Sequence, residues 1–452
     1  MERIKLKEKI GFGSFSAASN IMYQFKNLYY LFFLTETLRI PMGTAGTILA
    51  LGIVWDALND PLIGYFAVNH RFQNGERVRP FAFYSAVPWG VTIVLIFTNF
   101  HASKAVTIVI ASLAYFLFEL IYTATSIPYN CMAGLATNVD ADRRSINAYR
   151  NIGGCIGTAI GAVACFPLLN LFGGLDDNGN LDPETGSRGF FLTACVMAII
   201  CVMGCLAHYY TTKERVTPQN EEEKHVSLIH VFKVLYTYKP YLLNTLYILF
   251  YDIINLSLLT CLTYYCTYVL GSANKATFIE ALYLVGSLVT TLFISKIDEA
   301  LGRKRTMILS GLFFALGKLW FIINPFSTAA LYVNAVTTGI AVAISFVMFN
   351  TNRNNLSDLI EWREGRRMDS MIGTADNFST KLGEALAAQI LTRILANAGY
   401  NADLTIQPTA AINAINAMLG IVPAFFGVAI IVVVLFLNID SEMEKMKHTK
   451  IV

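Results

Sequence analysis

Residues 47–68 read TILALGIVWDALNDPLIGYFAV, an apolar run interrupted by two carboxylates, Asp56 and Asp60. The run is long enough to cross a bilayer, which takes roughly 20 apolar residues for ~30 Å of hydrocarbon. An ionised carboxylate in such a span costs at least ~2.5–3.5 kcal/mol on insertion scales. A pair is therefore expected only where it faces a protein interior, a water-filled cavity or a cation. Spacing i, i+4 puts both acids on one helix face, where like charges repel unless a cation or proton binds between them. The pair predicts a cation site inside a membrane-spanning helix.

Composition extends this reading to the whole chain. Of 452 residues, 55% are hydrophobic and 14% charged, against about 25% charged in a soluble domain. A span-length window picks out twelve segments, near 10–38, 42–69, 80–100, 105–135, 142–173, 189–210, 240–270, 276–297, 306–324, 327–350, 367–397 and 410–438. Placing both termini in the cytoplasm assigns 25 of the 34 Lys and Arg residues to cytoplasmic segments and four to external loops. The positive-inside bias thus selects an even number of spans and a multi-pass protein of the cell membrane. The remaining five, Lys26, Arg150, Lys318, Lys381 and Arg393, fall within spans. Topology accounts for the basic residues, so the net charge of +3 points to no nucleic-acid partner. The charged start MERIKLKEK runs into a segment too long for a signal h-region, so the first span is expected to be retained.

The polar stretch 211–239 separates six spans from six. It reads as a cytoplasmic linker between an N-terminal bundle, 1–210, and a C-terminal bundle with a short cytoplasmic tail, 240–452. The halves echo each other: DPLIGYFAVNHRFQNGERVRP (60–80) and KIDEALGRKRT (296–306) each place an Asp, a Gly and an Arg cluster at the exit of the second span of a half. This is the pattern of an all-α membrane protein with the major-facilitator fold, two six-helix bundles with the substrate site near the midplane between them. There is no HExxH, GxSxG or P-loop motif, so an enzyme is not indicated and no cofactor is expected beyond a coupling cation. The eight cysteines show no CxxC or paired metal spacing and read as apolar packing residues. The external loop GGLDDNGNLDPETGSRG (173–189) has calcium-loop spacing but, counted from Asp176, lacks the bidentate Glu at the twelfth position, and reads as a solvated turn-rich loop.

The runs WDALNDPLIGY (55–65), GERVRP (75–80), YTATSIPYN (122–130), DLIEWREGRR (358–367) and STKLGEALAA (379–388) together resemble the glycoside-pentoside-hexuronide:cation symporter family of the major facilitator superfamily. The resemblance implies a cation site of two Asp on the second helix, a Thr on the fourth and a Lys on the eleventh. The matching positions are Asp56, Asp60, Thr123 and Lys381, and all four residue types are present. Asp56, Asp60 and Thr123 would supply oxygens to the metal ion; Lys381 would pair with the carboxylates when the ion is absent. Sodium is the expected ion, with lithium and the proton as alternatives.

The family's best-known sugar carrier holds its substrate with an Asp on the first helix, an Asp and a Trp on the fourth and an Arg at the start of the fifth. Here the matching positions are Asn20, Ser126, Asn130 and Arg150, so both acidic anchors and the aromatic platform are replaced. That substitution favours an anionic substrate such as a hexuronide, or one recognised mainly through Arg150. Helical spacing independently marks two polar stripes, Ser16, Asn20, Gln24 and Asn27 on the first span, and Glu119, Thr123, Ser126 and Asn130 on the fourth. Gln24 and Lys381 complete the expected substrate group. Asp252, Asn255, Asn377 and Glu384 are candidates for the opposite wall, while Lys26 lies off the first stripe and is expected either to neutralise an anionic substrate or to pair with an acid the sequence does not identify. The implied activity is cation-coupled symport of a sugar, glycoside or hexuronide within the lipid membrane. A lipid or amphiphile transporter on the same scaffold is the alternative.

Overall fold

The computed structural model describes residues 3–73, 75–137, 139–215, 228–364, 369–404 and 406–451. The linker residues 216–227 and the arginines at 366 and 367 lie outside the described residues. Among the described residues seventeen α-helices carry the fold. In the first half of the chain they are α1 (Leu6–Phe32), α2 (Met42–Asn69), α3 (Arg79–Ile96), α4 (Lys104–Ala136), α5 (Asp140–Val163), α6 (Cys165–Leu171) and α7 (Gly186–Thr211). Then come α8 (Leu228–Thr237), α9 (Lys239–Tyr268), α10 (Lys275–Leu301), α11 (Arg303–Leu316), α12 (Leu319–Ile323), α13 (Thr328–Glu364), α14 (Asp369–Asn397), α15 (Thr409–Leu419), α16 (Ile421–Phe436) and α17 (Ile439–Ile451). A π-turn, Phe33–Thr37, continues α1. Helices dominate because hydrocarbon offers the backbone no hydrogen-bond partners and a helix satisfies its own.

Among the described residues eight helices are long and apolar enough to cross a membrane, or nine if the α5–α6 pair, bent by 48°, is one span. Three more, α1, α2 and α14, have 27, 28 and 29 residues. Their apolar runs are broken by Asn20 and Lys26, by Asp56 and Asp60, and by Lys381 and Glu384, the residue types a polar pathway requires. The expected all-α class holds. Two helices lie outside the twelve expected segments, α8 within the stretch 211–239 read as a linker and α17 in the tail, and α13 runs to Glu364, well past the expected end near 350.

The chain forms two compact units. The first comprises Met1–Glu222, Cys266–Phe278 and Gly399–Gln407; the second comprises Glu223–Tyr265, Ile279–Ala398 and Pro408–Val452. In the first, α1 packs on α5 and α7, α3 on α4 and α7, and α2 on α4. The α1–α5 crossing depends on glycines spaced by four. A Cβ on Gly153 would stand 2.0 Å from Gly13 O, and one on Gly157 2.2 Å from Ala17 O. Bare backbones meet there because, without a hydrophobic force between helices in lipid, close van der Waals packing drives association. Between α1 and its neighbours lies an aromatic core of Phe12, Phe15, Trp89, Tyr129 and His208, with Phe15 and Tyr129 stacked at 3.9 Å.

At the end of α7 the Glu214 carboxylate accepts the backbone N–H groups of Arg77, Val78 and Arg79 at 2.7–3.0 Å, anchoring the start of α3. In the second unit α11 packs on α13 and α16 around a core that includes Tyr247, Phe314, Met348 and Ile430. Large apolar residues point outward in both units: Leu62 is 68% exposed, Leu292 78% and Ile323 81%. A surface of that kind suits lipid.

Candidate functional site

On α2 the carboxylates of Asp56 and Asp60 stand one turn apart, and Thr123 on α4 meets both. The Thr123 hydroxyl donates to Asp56 Oδ1 at 2.7 Å and lies 3.3 Å from Asp60 Oδ1. Asp56 and Thr123 are buried and Asp60 is half-buried. Two contacts fix the register of the helices. Trp55 Nε1 donates to Phe116 O at 3.1 Å. One turn before Asp56, Gly52 admits the ring of Tyr115, which a Cβ there would meet at 2.0 Å. Asn59, between the two acids in sequence, is buried with Nδ2 unpartnered. Two carboxylates and a hydroxyl converging from two helices form a hard-oxygen set that suits a small cation.

One turn before Thr123 on α4, Glu119 resolves the position of Lys26. Lys26 Nζ lies 2.8 Å from Glu119 Oε1, both side chains being buried. The ammonium also sits over the rings of Tyr23, Tyr115 and Phe118 at 5.1–5.9 Å. Desolvated cations gain energy from such faces. The pair removes a net charge from the neighbourhood of Asp56, and it identifies Glu119 as the acid that the sequence reading left unnamed, although two opposite charges inside spans signalled it.

The substrate candidates of the first unit fall on α1, α4 and α5. Asn20 donates to Ser16 O at 2.8 Å and accepts from the Thr158 hydroxyl at 3.4 Å, so it faces α5. A Cβ on Gly154 would lie 3.3 Å from Ser16 Oγ and 3.4 Å from Asn20 Nδ2, so this glycine brings the α5 backbone up to the α1 polar stripe. Gln24 packs against Gly161 of α5, and Gln24 and Ser126 are half-buried. Arg150 Nη2 donates to Asn130 Oδ1 at 2.6 Å, and its guanidinium covers the Tyr129 ring at 4.4 Å. The structure thus brings Arg150 and Asn130 together and adds Tyr129, which the sequence reading did not select. Lys381 belongs to α14 in the second unit and is half-buried there.

Other positions separate packing from function. Of the tyrosines on α1 and α9, Tyr29, Tyr30, Tyr264 and Tyr265 are fully buried core residues. Tyr29 and Tyr30 donate to the carbonyls of Ala162 and Ala111 at 2.5 and 3.0 Å. Tyr23 is half-buried beside Tyr122 and Lys26. Tyr268 donates to Glu36 Oε2 at 2.6 Å, and Tyr400 also bonds that carboxylate. Lys318 is buried and bonds Asn334 and Thr338, tying the break between α11 and α12 to α13. In the loop 173–189, Asp176 Oδ1 accepts the backbone N–H groups of Asn178 and Asn180. Asp182 Oδ1 accepts those of Glu184 and Thr185 ahead of α7. The Thr185 and Glu184 N–H groups hold the Asp182 carboxyl below its usual range. Both acids therefore serve as turn caps. All eight cysteines are free thiols.

A helical chain of this length, with a polar group buried on span-length helices, is a polytopic membrane transporter. It belongs to the MFS/sugar transport protein family, whose profile matches residues 11–441. It is 28% identical over 448 residues to the inner membrane symporter YicJ of Escherichia coli K12, covering 94% of this chain and 89% of that one. It is 26% identical over 447 residues to the isoprimeverose transporter of Lactiplantibacillus pentosus, covering 97% and 90%. The fold matches the crystal structure of a D-xylose-proton symporter with TM-score 0.65 at 12% identity, covering 96% of each chain. These relatives agree with the resemblance to the glycoside-pentoside-hexuronide:cation symporters, and they are transporters, not enzymes.

Proposed function

We propose that the protein is a secondary active transporter that carries a sugar, glycoside or hexuronide in symport with a monovalent cation, sodium being the first candidate, by alternating access. The observation that carries this reading is the convergence of Asp56, Asp60 and Thr123 oxygens inside the membrane-spanning part of the first unit. Kinship with a sugar-transport family and with symporters supports it. Asp56, Asp60 and Thr123 would hold the ion, and Lys381 would neutralise the carboxylates when the ion leaves. Asn20, Gln24, Ser126, Asn130, Arg150 and Lys381 would hold the substrate. The half-buried guanidinium of Arg150 suits a uronate carboxylate, since five donors in a fixed fork match a carboxylate bidentately. Both termini face the cytoplasm of the cell membrane in this reading, following the positive-inside bias.

A thermal-shift screen of the purified protein tests it. Neutral glycosides and uronides are compared in sodium, lithium and choline buffers at several pH values. One sugar class should raise the unfolding temperature, and more so with the coupling cation present. No sugar-induced shift in any buffer would overturn the assignment.

A further inference from the structure

Tyr129 belongs to α4, one residue before Asn130, and is 7% exposed. Its ring stacks on Phe15 of α1 with centroids 3.9 Å apart and planes at 19°. His208 of α7 makes a T-shaped contact with it at 5.1 Å, and the phenol hydroxyl donates to Phe12 O at 2.7 Å. Phe12, Phe15 and His208 are all buried. The ring is thus fixed from α1 and α7 by groups with no solvent to move into.

A ring stacked at 3.9 Å fills one face of Tyr129, so the Arg150 guanidinium, 4.4 Å from the ring centroid, sits against the other. Arg150 Nη2 donates to Asn130 Oδ1 at 2.6 Å, so two consecutive residues of α4 hold one side chain of α5. The α5 backbone meets α1 on both sides of Arg150: a Cβ on Gly13 would stand 3.0 Å from Tyr149 O, and one on Gly153 2.0 Å from Gly13 O.

The two contacts on Arg150 differ chemically. Asn130 takes an N–H, whereas the ring attracts the cation through its π face and takes none. The donors of a guanidinium lie in its own plane, so a group held by its face is aimed without spending them. An arginine without such a hold samples many rotamers, and a ligand that must order it binds more weakly.

We propose that Tyr129 is a positioning residue for the transported substrate: its Phe15-backed ring fixes the Arg150 guanidinium so that the remaining donors meet a carboxylate-bearing sugar. Tyr129 acts through Arg150 and is not itself a substrate contact. The inference rests on the reading of Arg150 as a substrate residue, and it assigns part of the selectivity to the buried aromatic core of the first unit.

Two measurements on the full-length protein test it, the first without any substrate. Phenylglyoxal, a dicarbonyl that modifies arginine, labels the protein, and the rate at Arg150 is read by peptide mass spectrometry. Tyr129→Leu, which removes the π face, should raise that rate roughly 3- to 10-fold, the span a cation–π contact represents. Tyr129→Phe keeps the ring but loses the bond to Phe12 O, so it should lower the unfolding temperature and leave the rate near that of wild type. A ring-fluorinated tyrosine at position 129 weakens the π face at nearly constant volume, and should raise the rate even where Tyr129→Leu fails to fold. A rate that neither the leucine nor the fluorinated ring raises, or that Tyr129→Phe raises as much, would overturn the proposal, because the ring would then serve packing alone. The second measurement is calorimetric titration with a glucuronide and a neutral glycoside. Tyr129→Leu should weaken the glucuronide by the same roughly 3- to 10-fold and the neutral glycoside less, with Tyr129→Phe restoring the glucuronide. Faster labelling with unchanged glucuronide binding would also overturn the proposal, but through the reading of Arg150 as a substrate residue and not through the hold of Tyr129 on Arg150.

Discussion

Lys26 Nζ lies 2.8 Å from Glu119 Oε1 with both side chains buried, so a complete ion pair stands inside the first unit one helical turn from Thr123. Its effect on the site is local: Lys26 offsets the Glu119 charge, so Glu119 adds little net charge beside Asp56, Asp60 and the Thr123 hydroxyl. Removing one partner of a buried pair strands the other charge, which typically costs about 3–5 kcal/mol, whereas replacing both is close to neutral. Lys26→Met should lower the unfolding temperature sharply, and Lys26→Met/Glu119→Gln should recover most of the loss. Equal losses in the single and double variants would show that Lys26 acts through its contacts with Tyr23, Tyr115 and Phe118.

Asp60→Asn and Asp56→Asn should each abolish cation-driven accumulation while leaving measurable substrate binding, because the carboxylates face Thr123 and not the Asn130–Arg150 group. Thr123→Val should weaken the cation and Thr123→Ser should restore it, since serine keeps the hydroxyl. Uptake into vesicles under a sodium gradient, with substrate binding measured in parallel, separates the two effects. Loss of substrate binding with intact sodium binding would reverse the roles assigned to these residues.

Substrate affinity should rise with sodium, because an ion between Asp56 and Asp60 removes their mutual repulsion. Coupling is reciprocal, so substrate must raise sodium affinity by the same factor. Isothermal titration in sodium and in choline buffers reads both sides. Equal affinities at fixed pH, with a pH dependence instead, would identify the proton as the coupling ion.

The order of the elements was legible because hydropathy and chain length dictate it; the Met42–Asn69 helix coincides with the segment read from sequence. The acidic pair was legible for the same reason, since a charge in an apolar run has no cheap explanation. Pairings between distant positions were not. Lys26 and Glu119 lie 93 residues apart and share a side only once α1 packs beside α4. Tyr129 looked like one aromatic residue among many until Arg150 was seen to cover its ring. The end of α13 was missed because hydropathy marks where lipid stops, while a helix of polar residues continues into water through Glu364. The spacing of Gly153, Gly157 and Gly161 was present in the sequence, but a close helix crossing is defined only when its partner is known.

That crossing is open to a direct test. Gly157→Ala would place a Cβ 2.2 Å from Ala17 O, and backbone cannot step aside as a flexible side chain can. Overpacking of this kind costs about 1–3 kcal/mol. At Gly134 an added Cβ meets nothing within 4 Å, so Gly134→Ala should be neutral or slightly stabilising. Thermal unfolding in the same detergent compares them. Equal stability of the two variants would mean that α1 and α5 are not held at backbone contact.

Arg150 carries the last prediction. Where the family's sugar carrier has acidic anchors this chain has Asn20 and Ser126, so the fixed positive charge of Arg150 is not opposed by acids at those positions. Its guanidinium sits over the Tyr129 ring and spends one N–H on Asn130, which aims the group while leaving donors for a ligand. Arg150→Gln keeps a polar side chain and removes the charge. Binding of an anionic substrate should fall by an amount typical of a charged hydrogen bond, ~1.5–3 kcal/mol, roughly 10- to 150-fold in affinity. A neutral glycoside should lose much less. Uptake of labelled glucuronides and neutral glycosides by vesicles carrying each form checks the contrast. Should Arg150→Gln carry both as well as the parent does, Arg150 serves only to hold Asn130 and Tyr129, and selection for an anionic substrate would have to arise elsewhere.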